Sequence, residues 1–105
     1  MSIETNGWVA QQDRMPGNAN FRVYGNVMVG HPGISPRLSI RKLQDKSHAL
    51  ALELTQETEG GIYPQVVTEK PVSFRMPGDH GAIPKVDIFH DDKLIASITE
   101  IMITD

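Results

Sequence analysis

Hydrophobic and polar residues alternate at every second position through the stretch FRVYGNVMVG, residues 21–30. One face carries Phe21, Val23, Gly25, Val27 and Val29, and the intervening residues occupy the other. Side chains of an extended strand point to opposite faces with a period of two, so this pattern predicts a half-buried β-strand. Gly25, set among buried positions, predicts a bulge or a close approach of other atoms to the backbone.

Similar alternation recurs along the chain and predicts further strands. They fall at GWVAQQ, PRLSIRKL, ALALELTQET, QVVTEKPVSFRM, Val86–His90 and Leu94–Ile103. In PRLSIRKL, Leu38 and Ile40 are expected to point inward. The segment ALALELTQET is ambiguous because Ala, Leu and Glu favour helices. Its leucines at positions 50, 52 and 54 would be spread around a helix, so the spacing favours a strand.

Six or seven short strands with turn signals every 8–15 residues predict an all-β fold in one domain, residues 1–105. An antiparallel β-sandwich of immunoglobulin-like type is the expected architecture, and a small β-barrel is the alternative. Pro71 cannot donate a ladder hydrogen bond, so its strand is expected at an edge or to be bulged or broken there. Asp91 and Asp92 predict a tight turn, because Asp tolerates left-handed backbone.

The composition argues against several classes of binding partner and excludes cysteine-based chemistry. The net charge is −3 and no run of Lys and Arg exists, which argues against nucleic acid and against a polybasic membrane surface. Cysteine is absent, so disulfides, thiolate catalysis and cysteine-type zinc sites are excluded. The start MSIETNGWVA resembles no signal peptide, which leads us to expect a cytoplasmic protein.

The tetrapeptide RMPG occurs twice, at Arg14–Gly17 and Arg75–Gly78. Pro-Gly suits a type II turn, so both copies, and HPG at His31–Gly33, are interpreted as turns. If strands alternate strictly up and down, the loops at 13–20, 44–48 and 76–84 share one end of the sandwich. The loops at 30–35 and 58–64 and the turn at 91–92 share the other.

That grouping gives one candidate ligand-binding cluster in the end loops. Its members would be the two basic side chains of the RMPG copies and two histidines: Arg14, Arg75, His48 and His80. Two arginines could clamp a carboxylate or a phosphate. We expect no metal or cofactor, because the chain has no HxH or HExxH spacing and its Asp-rich groups coincide with turns. Tyr24, on the polar face of its strand, is the best candidate for an exposed contact.

The segments FRVYGNVMV, ISPRLSIRKL, ALALELTQ and PQVVTEKPVSFR, followed by a closing hairpin, resemble a loose group of small bacterial proteins of unknown function. The resemblance covers about residues 21–103 and rests on the succession of strands and on PQVVTE. It implies a bacterial source and a single-domain sandwich, and it carries no activity and no functional residue with it.

Three functions remain open. The first is a non-enzymatic interaction module that binds a protein through an edge strand, such as the Pro71 strand, or through the end loops. The second is a self-associating structural protein, a homodimer that covers the face of Met28 and Tyr24. The third is a small hydrolase or a metal- or ligand-binding protein that uses His48 and His80.

Overall fold

The computed structural model describes residues 3–42, 49–80 and 83–104. All regular structure in these ranges is β-strand, and none of them contains a helix long and apolar enough to span a lipid bilayer. The described ranges contain eight strands, in chain order β1 (Thr5–Asp13), β2 (Asn20–Val29), β3 (Ile34–Ile40), β4 (Leu50–Thr58), β5 (Thr68–Pro77), β6 (Val86–His90), β7 (Lys93–Ile98) and β8 (Ile101–Thr104).

The strands form two four-stranded sheets that enclose one core. The first sheet has the order β5-β2-β1-β8 and the second the order β3-β4-β6-β7. The prediction of an all-β fold is confirmed, and over the described residues the pairings form two open sheets, so the alternative of a closed barrel is wrong. A wholly antiparallel sandwich is not confirmed, since β1 runs parallel to β8 and β4 runs parallel to β6.

The parallel pair β4–β6 arises because strands that are adjacent in a sheet need not be consecutive in the chain. The chain reverses direction from β3 to β4 and from β6 to β7, as the antiparallel registers show. Between β4 and β6, however, β5 crosses to the first sheet and pairs with β2. The strands β4 and β6 then become neighbours with the same direction, and the pattern of side chains along each strand carries no information about that choice.

Alternation fixes which face of each strand is buried. Phe21, Val23 and Val27 of β2 are fully buried, and Leu52 and Leu54 of β4 face them from the second sheet. The prediction that ALALELTQET is a strand is confirmed. Burying a side chain of this size contributes roughly 1.5–3 kcal/mol relative to exposure, so this layer dominates the stability of the sandwich.

Two predictions about strand ends and faces are wrong. Leu94–Ile103 was expected to be one strand, but it is divided at Thr99–Glu100 into β7 of the second sheet and β8 of the first. Because of this division, the described residues form eight strands and not the six or seven expected. Ile40 was expected to point into the core and is instead 51% exposed, because it lies at the end of β3, an edge strand.

Gly25 accommodates a tryptophan, as its place among buried residues suggested. Gly7 and Trp8 of β1 together oppose Gly25 of β2, and Gly7 has a φ of +69°, which is the geometry of a glycine bulge. The Trp8 ring packs on the Gly25 backbone so closely that an added Cβ would lie 2.5 Å from it. Trp8 also donates from Nε1 to the Thr5 hydroxyl at 2.9 Å.

Prolines protect two free edges of the sandwich. The Gly78 amide donates to the Ala19 carbonyl, and the register of β5 against β2 then leaves Pro71 and Pro77 facing the open edge. Pro36 has the corresponding place on the open edge of β3. A proline at such a position breaks no ladder bond and removes a donor that another strand could use. The prediction that Pro71 marks an edge strand is therefore confirmed.

Gly25→Ala is expected to lower the free energy of unfolding by about 2 kcal/mol, because the new methyl group overlaps the Trp8 ring. In a Trp8→Leu background the same substitution is expected to cost at least 1 kcal/mol less, since the overlap is gone. Urea denaturation of the four variants of this cycle gives the coupling energy.

Gly60→Ala is the matched control, because nothing lies within 4 Å of the position of its added Cβ. We expect its effect to stay within about 0.5 kcal/mol. An equal cost of Gly25→Ala in both backgrounds would show that Trp8 does not set the requirement for glycine.

Candidate functional site

At one end of the sandwich, a buried glutamine side chain forms hydrogen bonds with the backbone of the neighbouring segments. Gln12, at the end of β1, is 1% exposed. Its Nε2 donates to the carbonyls of Asn20 and Gly78, each at 3.2 Å, and its Oε1 accepts the amide of His80 at 3.1 Å. Buried polar groups need such partners, so Gln12 fixes the chain that follows β5 against the start of β2.

The loops of the two RMPG copies lie together at this end, as the up-and-down scheme expected. Arg14 forms an ion pair with Asp79 at 3.6 Å, with both side chains partly exposed. The backbone amide of His80 is bound to Gln12, and its ring Nε2 lies 2.9 Å from the Pro77 carbonyl. His48 lies outside the described residues. The charge of Arg14 thus already has an acidic partner.

The two copies of RMPG do not have the same structure. In the first, the Asn18 amide donates to the Met15 carbonyl at 3.0 Å and Gly17 has a φ of +80°, as a type II turn requires. In the second, the residues before Gly78 belong to β5, and Gly78 with a φ of +99° ends the strand. The interpretation of RMPG as a turn is confirmed for the first copy only.

The opposite end is organised around Tyr63. Its ring packs on Gly33, where an added Cβ would lie 2.4 Å away, and it stacks on His31 with centroids 5.5 Å apart. HPG forms a turn, as predicted, because the Ile34 amide donates to the His31 carbonyl at 3.2 Å. Gly33 lacks a positive φ, so the turn is not of type II, and close contact with Tyr63 explains the glycine. Over the described ranges, no group of three or more His, Cys, Asp or Glu side chains could hold a metal ion.

Arg75 lies within β5 on the outer face of the first sheet, directly opposite Arg22 of β2. The hydrogen bond from the Gly78 amide to the Ala19 carbonyl sets the alternation of this ladder, which makes Arg22 and Arg75 a non-hydrogen-bonded pair. The Cα atoms of such pairs are about 4.5 Å apart and their side chains lie closest together. Two residues with permanent positive charges are therefore direct cross-strand neighbours.

Neither arginine has an anionic partner among the described residues. The Nη2 of Arg22 donates to the Oε1 of Gln11 at 3.0 Å, while its buried Nε has no hydrogen-bond partner. Gln11 in turn donates from Nε2 to the Thr104 hydroxyl at 3.0 Å. The side chain of Arg75 is exposed and has neither a hydrogen bond nor an ion pair to any described residue. The guanidinium of Arg22 is held in place, and that of Arg75 is available.

Two hydroxyl groups lie beside this pair. Tyr24 and Ser73 form the next pair along the same face of β2 and β5, and Tyr24 is 41% exposed. We call the five residues that share this surface the arginine face: Gln11, Arg22, Tyr24, Ser73 and Arg75. The expectation that Tyr24 is an exposed contact residue agrees with its position.

A second cluster, on the outer face of the second sheet, is internally neutralised. The Arg41 guanidinium lies 4.1 Å from the centre of the Phe89 ring and bonds the Asp92 carboxylate at 2.7 Å. Asp91 and Asp92 both have positive φ in the tight turn that the sequence predicted. Because Arg41 is already paired with a carboxylate, this cluster attracts an external anion less strongly than the arginine face does.

Arg22 was not among the candidate residues predicted from the sequence, and Arg75 lies within β5 and not in an end loop. The alternation in FRVYGNVMVG already put Arg22 and Tyr24 on one face, and Arg75 was assigned to an end-loop cluster because of the tetrapeptide it begins. The missing information was the register of β2 against β5, which is a property of the assembled sheet. Alternation within β2 signalled only that Arg22 points outward.

Arg75→Gln is expected to raise the free energy of unfolding by about 0.5 kcal/mol at low salt, because like charges directly opposite in a sheet are destabilising. The gain is expected to vanish in 1 M NaCl, where the screening length falls to about 3 Å. Urea denaturation at both ionic strengths measures the change.

Arg37→Gln is the control, because Arg37 forms an ion pair with Glu57 at 3.2 Å and its removal loses an attraction. Its effect at low salt is expected to be zero or of the opposite sign. If Arg75→Gln destabilised the protein at low salt, the repulsion between Arg22 and Arg75 would be disproved.

Comparison of the chain with protein-family models, with curated proteins and with solved structures finds no match. The resemblance to small bacterial β-sandwich proteins stays a prediction, and the function has to be inferred from the chemistry of the arginine face.

Proposed function

We propose that this protein is a non-enzymatic interaction module that holds an anionic side chain of a partner protein on the arginine face. The observation that carries the proposal is the pairing of Arg22 with Arg75 and the lack of an acidic partner for either among the described residues. The chain as a whole has a net charge of −3, so the local accumulation of positive charge runs against its average.

The electrostatic energies favour an external anion at this place. Two unit charges 4 Å apart interact by about 1 kcal/mol in bulk water and about 4 kcal/mol at the effective dielectric of a protein surface. An anion placed between Arg22 and Arg75 adds two attractions, which together outweigh the one repulsion between the arginines. Hydrogen bonds from guanidinium to carboxylate or phosphate are often bidentate, which adds directional specificity to the charge.

The same residues suit binding better than catalysis. An arginine is protonated at all ordinary pH values, so neither Arg22 nor Arg75 can act as a general base. The Ser73 hydroxyl has no hydrogen bond to a base among the described residues, which a nucleophile would need. A hydrolase built on His48 and His80 stays a prediction, since His48 lies outside the described ranges.

Addition of a partner strand to β5 is disfavoured. Pro71 and Pro77 remove two of the amides that face the open edge, and only Ser73 and Arg75 between them keep a free donor there. β-Augmentation draws its affinity from a run of main-chain hydrogen bonds. We therefore place the interaction on the outer face of the sheet and not on its Pro71 edge.

Self-association is a second candidate function. The sequence pattern pointed to Met28 and Tyr24 as a dimer face, but more exposed apolar side chains lie on the crossover from β4 to β5. Ile62 is fully exposed, and Val66 and Val67 are 58% and 64% exposed. Tyr63 is fixed by its packing on Gly33, so this segment presents its apolar side chains from an anchored position.

We further propose that the first sheet follows an immunoglobulin-like arrangement. The neighbour order β1-β2-β5 supports this, because it matches the order of strands A, B and E in immunoglobulin domains. The second sheet departs from that arrangement, since β4 lies between β3 and β6 and runs parallel to β6.

The binding role is tested with degenerate heptapeptide pools whose central residue is aspartate, glutamate, phosphoserine or serine. We expect at least one anionic pool to shift the side-chain Nε–Hε NMR signals of Arg22 and Arg75, and the serine pool to leave them unchanged. The double variant Arg22→Gln/Arg75→Gln is expected to lose this binding.

Arg37→Gln removes one positive charge outside the arginine face and serves as the control for general electrostatic attraction. It is expected to bind the anionic pool as the unmodified protein does. If no anionic pool bound more tightly than the serine pool, the proposed function would be rejected.

Self-association is tested by size-exclusion chromatography with light scattering. A dimer is expected to show twice the chain mass of 11.6 kDa, and Val67→Asp is expected to return it to the monomer, because a charge in an apolar contact is costly to bury. Glu59→Asp, in the same segment, controls for nonspecific effects. A monomer at all concentrations would exclude this second function.

A further inference from the structure

We propose that the anion held by the arginine face is the phosphate group of a phosphorylated serine or threonine in an extended segment of the partner protein. This inference rests on the proposed function and narrows its ligand from any anionic side chain to one chemical class.

The charge of the site matches a doubly charged group. Arg22 and Arg75 supply two positive charges, because a guanidinium group cannot be deprotonated in a protein. A phosphoserine or phosphothreonine carries about −1.5 to −2 at pH 7, whereas an aspartate or glutamate carries −1. A carboxylate would therefore leave a net charge of about +1 on the pair, whereas a phosphate neutralises most of it.

The inventory of hydrogen-bond donors also matches a phosphate. A single bidentate arginine already engages both oxygens of a carboxylate, so the second guanidinium would have to share those same two oxygens. A phosphate ester has three terminal oxygens that accept strong hydrogen bonds. Arg75 has all five of its N–H donors unused among the described residues, and the hydroxyls of Tyr24 and Ser73 lie one pair further along the same face.

Arg22 is pre-organised by neutral groups. Its Nη2 donates to Gln11, and Gln11 donates to Thr104, so one chain of hydrogen bonds crosses from β2 through β1 to β8. A neutral partner orients the guanidinium without cancelling its charge. Holding the side chain in its binding geometry before the ligand arrives lowers the entropic cost of binding.

Acidic residues at both limits of this face favour a single phosphate over a polyanion. Asp13 lies on the outer face of β1, two residues after Gln11, which pairs with Arg22. Glu69 lies on the outer face of β5, beyond Ser73 in the direction away from Arg75. Successive phosphates of a nucleic acid would approach these carboxylates, and like charges in contact are repelled. An isolated phosphorylated residue avoids both.

A shallow depression shows where the rest of the peptide would lie. It has a volume of about 340 Å³ and continues the arginine face along the sheet, lined by Tyr24, Asn26, Pro71 and Ser73 together with the Gly25 backbone. From Arg22 to Asn26 the strand rises about 13 Å at 3.3 Å per residue. An extended peptide with its phosphate between the arginines would therefore place the side chain about four residues away over this depression.

The test measures dissociation constants for degenerate nonapeptide pools that carry phosphoserine, phosphothreonine or glutamate at the central position. We expect the phosphorylated pools to bind about tenfold or more tightly than the glutamate pool, with the Nε–Hε signals of Arg22 and Arg75 shifting together. Arg22→Gln and Arg75→Gln are each expected to weaken binding of the phosphoserine pool about tenfold. Arg75→Lys keeps the charge but loses the planar fork, so it is expected to weaken binding less than Arg75→Gln does.

The controls separate this inference from the function on which it rests. Arg37→Gln is expected to bind the phosphoserine pool unchanged, and inorganic phosphate at the concentration of the peptides is expected not to displace them. Equal affinity for the glutamate and phosphorylated pools would overturn the phosphate assignment and leave the proposed function standing. Failure of every anionic pool would overturn both.

Two further outcomes would also overturn the inference. Binding of phosphopeptides that survives Arg22→Gln and Arg75→Gln would place the site elsewhere on the protein. Inorganic phosphate that binds as tightly as the phosphoserine pool would show that the peptide contributes nothing and that the ligand is the free anion. The folded state of each variant is checked by its backbone amide spectrum.

Discussion

The register between β2 and β5 is the constraint on which the rest of the site depends. Val23 pairs with Phe74 and Gly25 with Val72, so the inward side chains of both strands meet the core in this one alignment. A slip of one residue would turn every buried side chain of β5 outward. The hydrophobic core therefore decides, without any contact to the outer surface, that Arg22 stands opposite Arg75.

That alignment carries a cost that the fold tolerates. A pair of like charges in a non-hydrogen-bonded position opposes folding by a few tenths of a kcal/mol, and neither charge is neutralised by the described residues. The same chain elsewhere pairs Arg14, Arg37 and Arg41 with carboxylates. Such a contrast is typical of functional positions, where a locally unfavourable arrangement becomes favourable when the ligand binds.

The two copies of RMPG show how far a short sequence determines its own structure. Where strand pairing ends before the tetrapeptide, Pro16 and Gly17 form the turn that their chemistry favours. Where the tetrapeptide lies opposite Asn20 and Phe21, the ladder with β2 holds its first residues extended, and only Gly78 keeps a left-handed backbone. In both copies the residue with positive φ is the glycine, as its conformational freedom favours. Pairing with β2 determines the extended backbone of the other residues of the second copy.

The sequence by itself determined the class of fold, the inward face of each central strand and the tight turn at Asp91–Asp92, because alternation and turn chemistry act over a few residues. It also determined that Arg22 and Tyr24 point away from the core. Only the tertiary structure decided that β4 lies beside β6, that Leu94–Ile103 divides between two sheets, and that Arg22 meets Arg75. Those facts depend on contacts between segments roughly 30 to 90 residues apart in the chain, and the energy of such contacts comes from burial in a shared core, which no local pattern records.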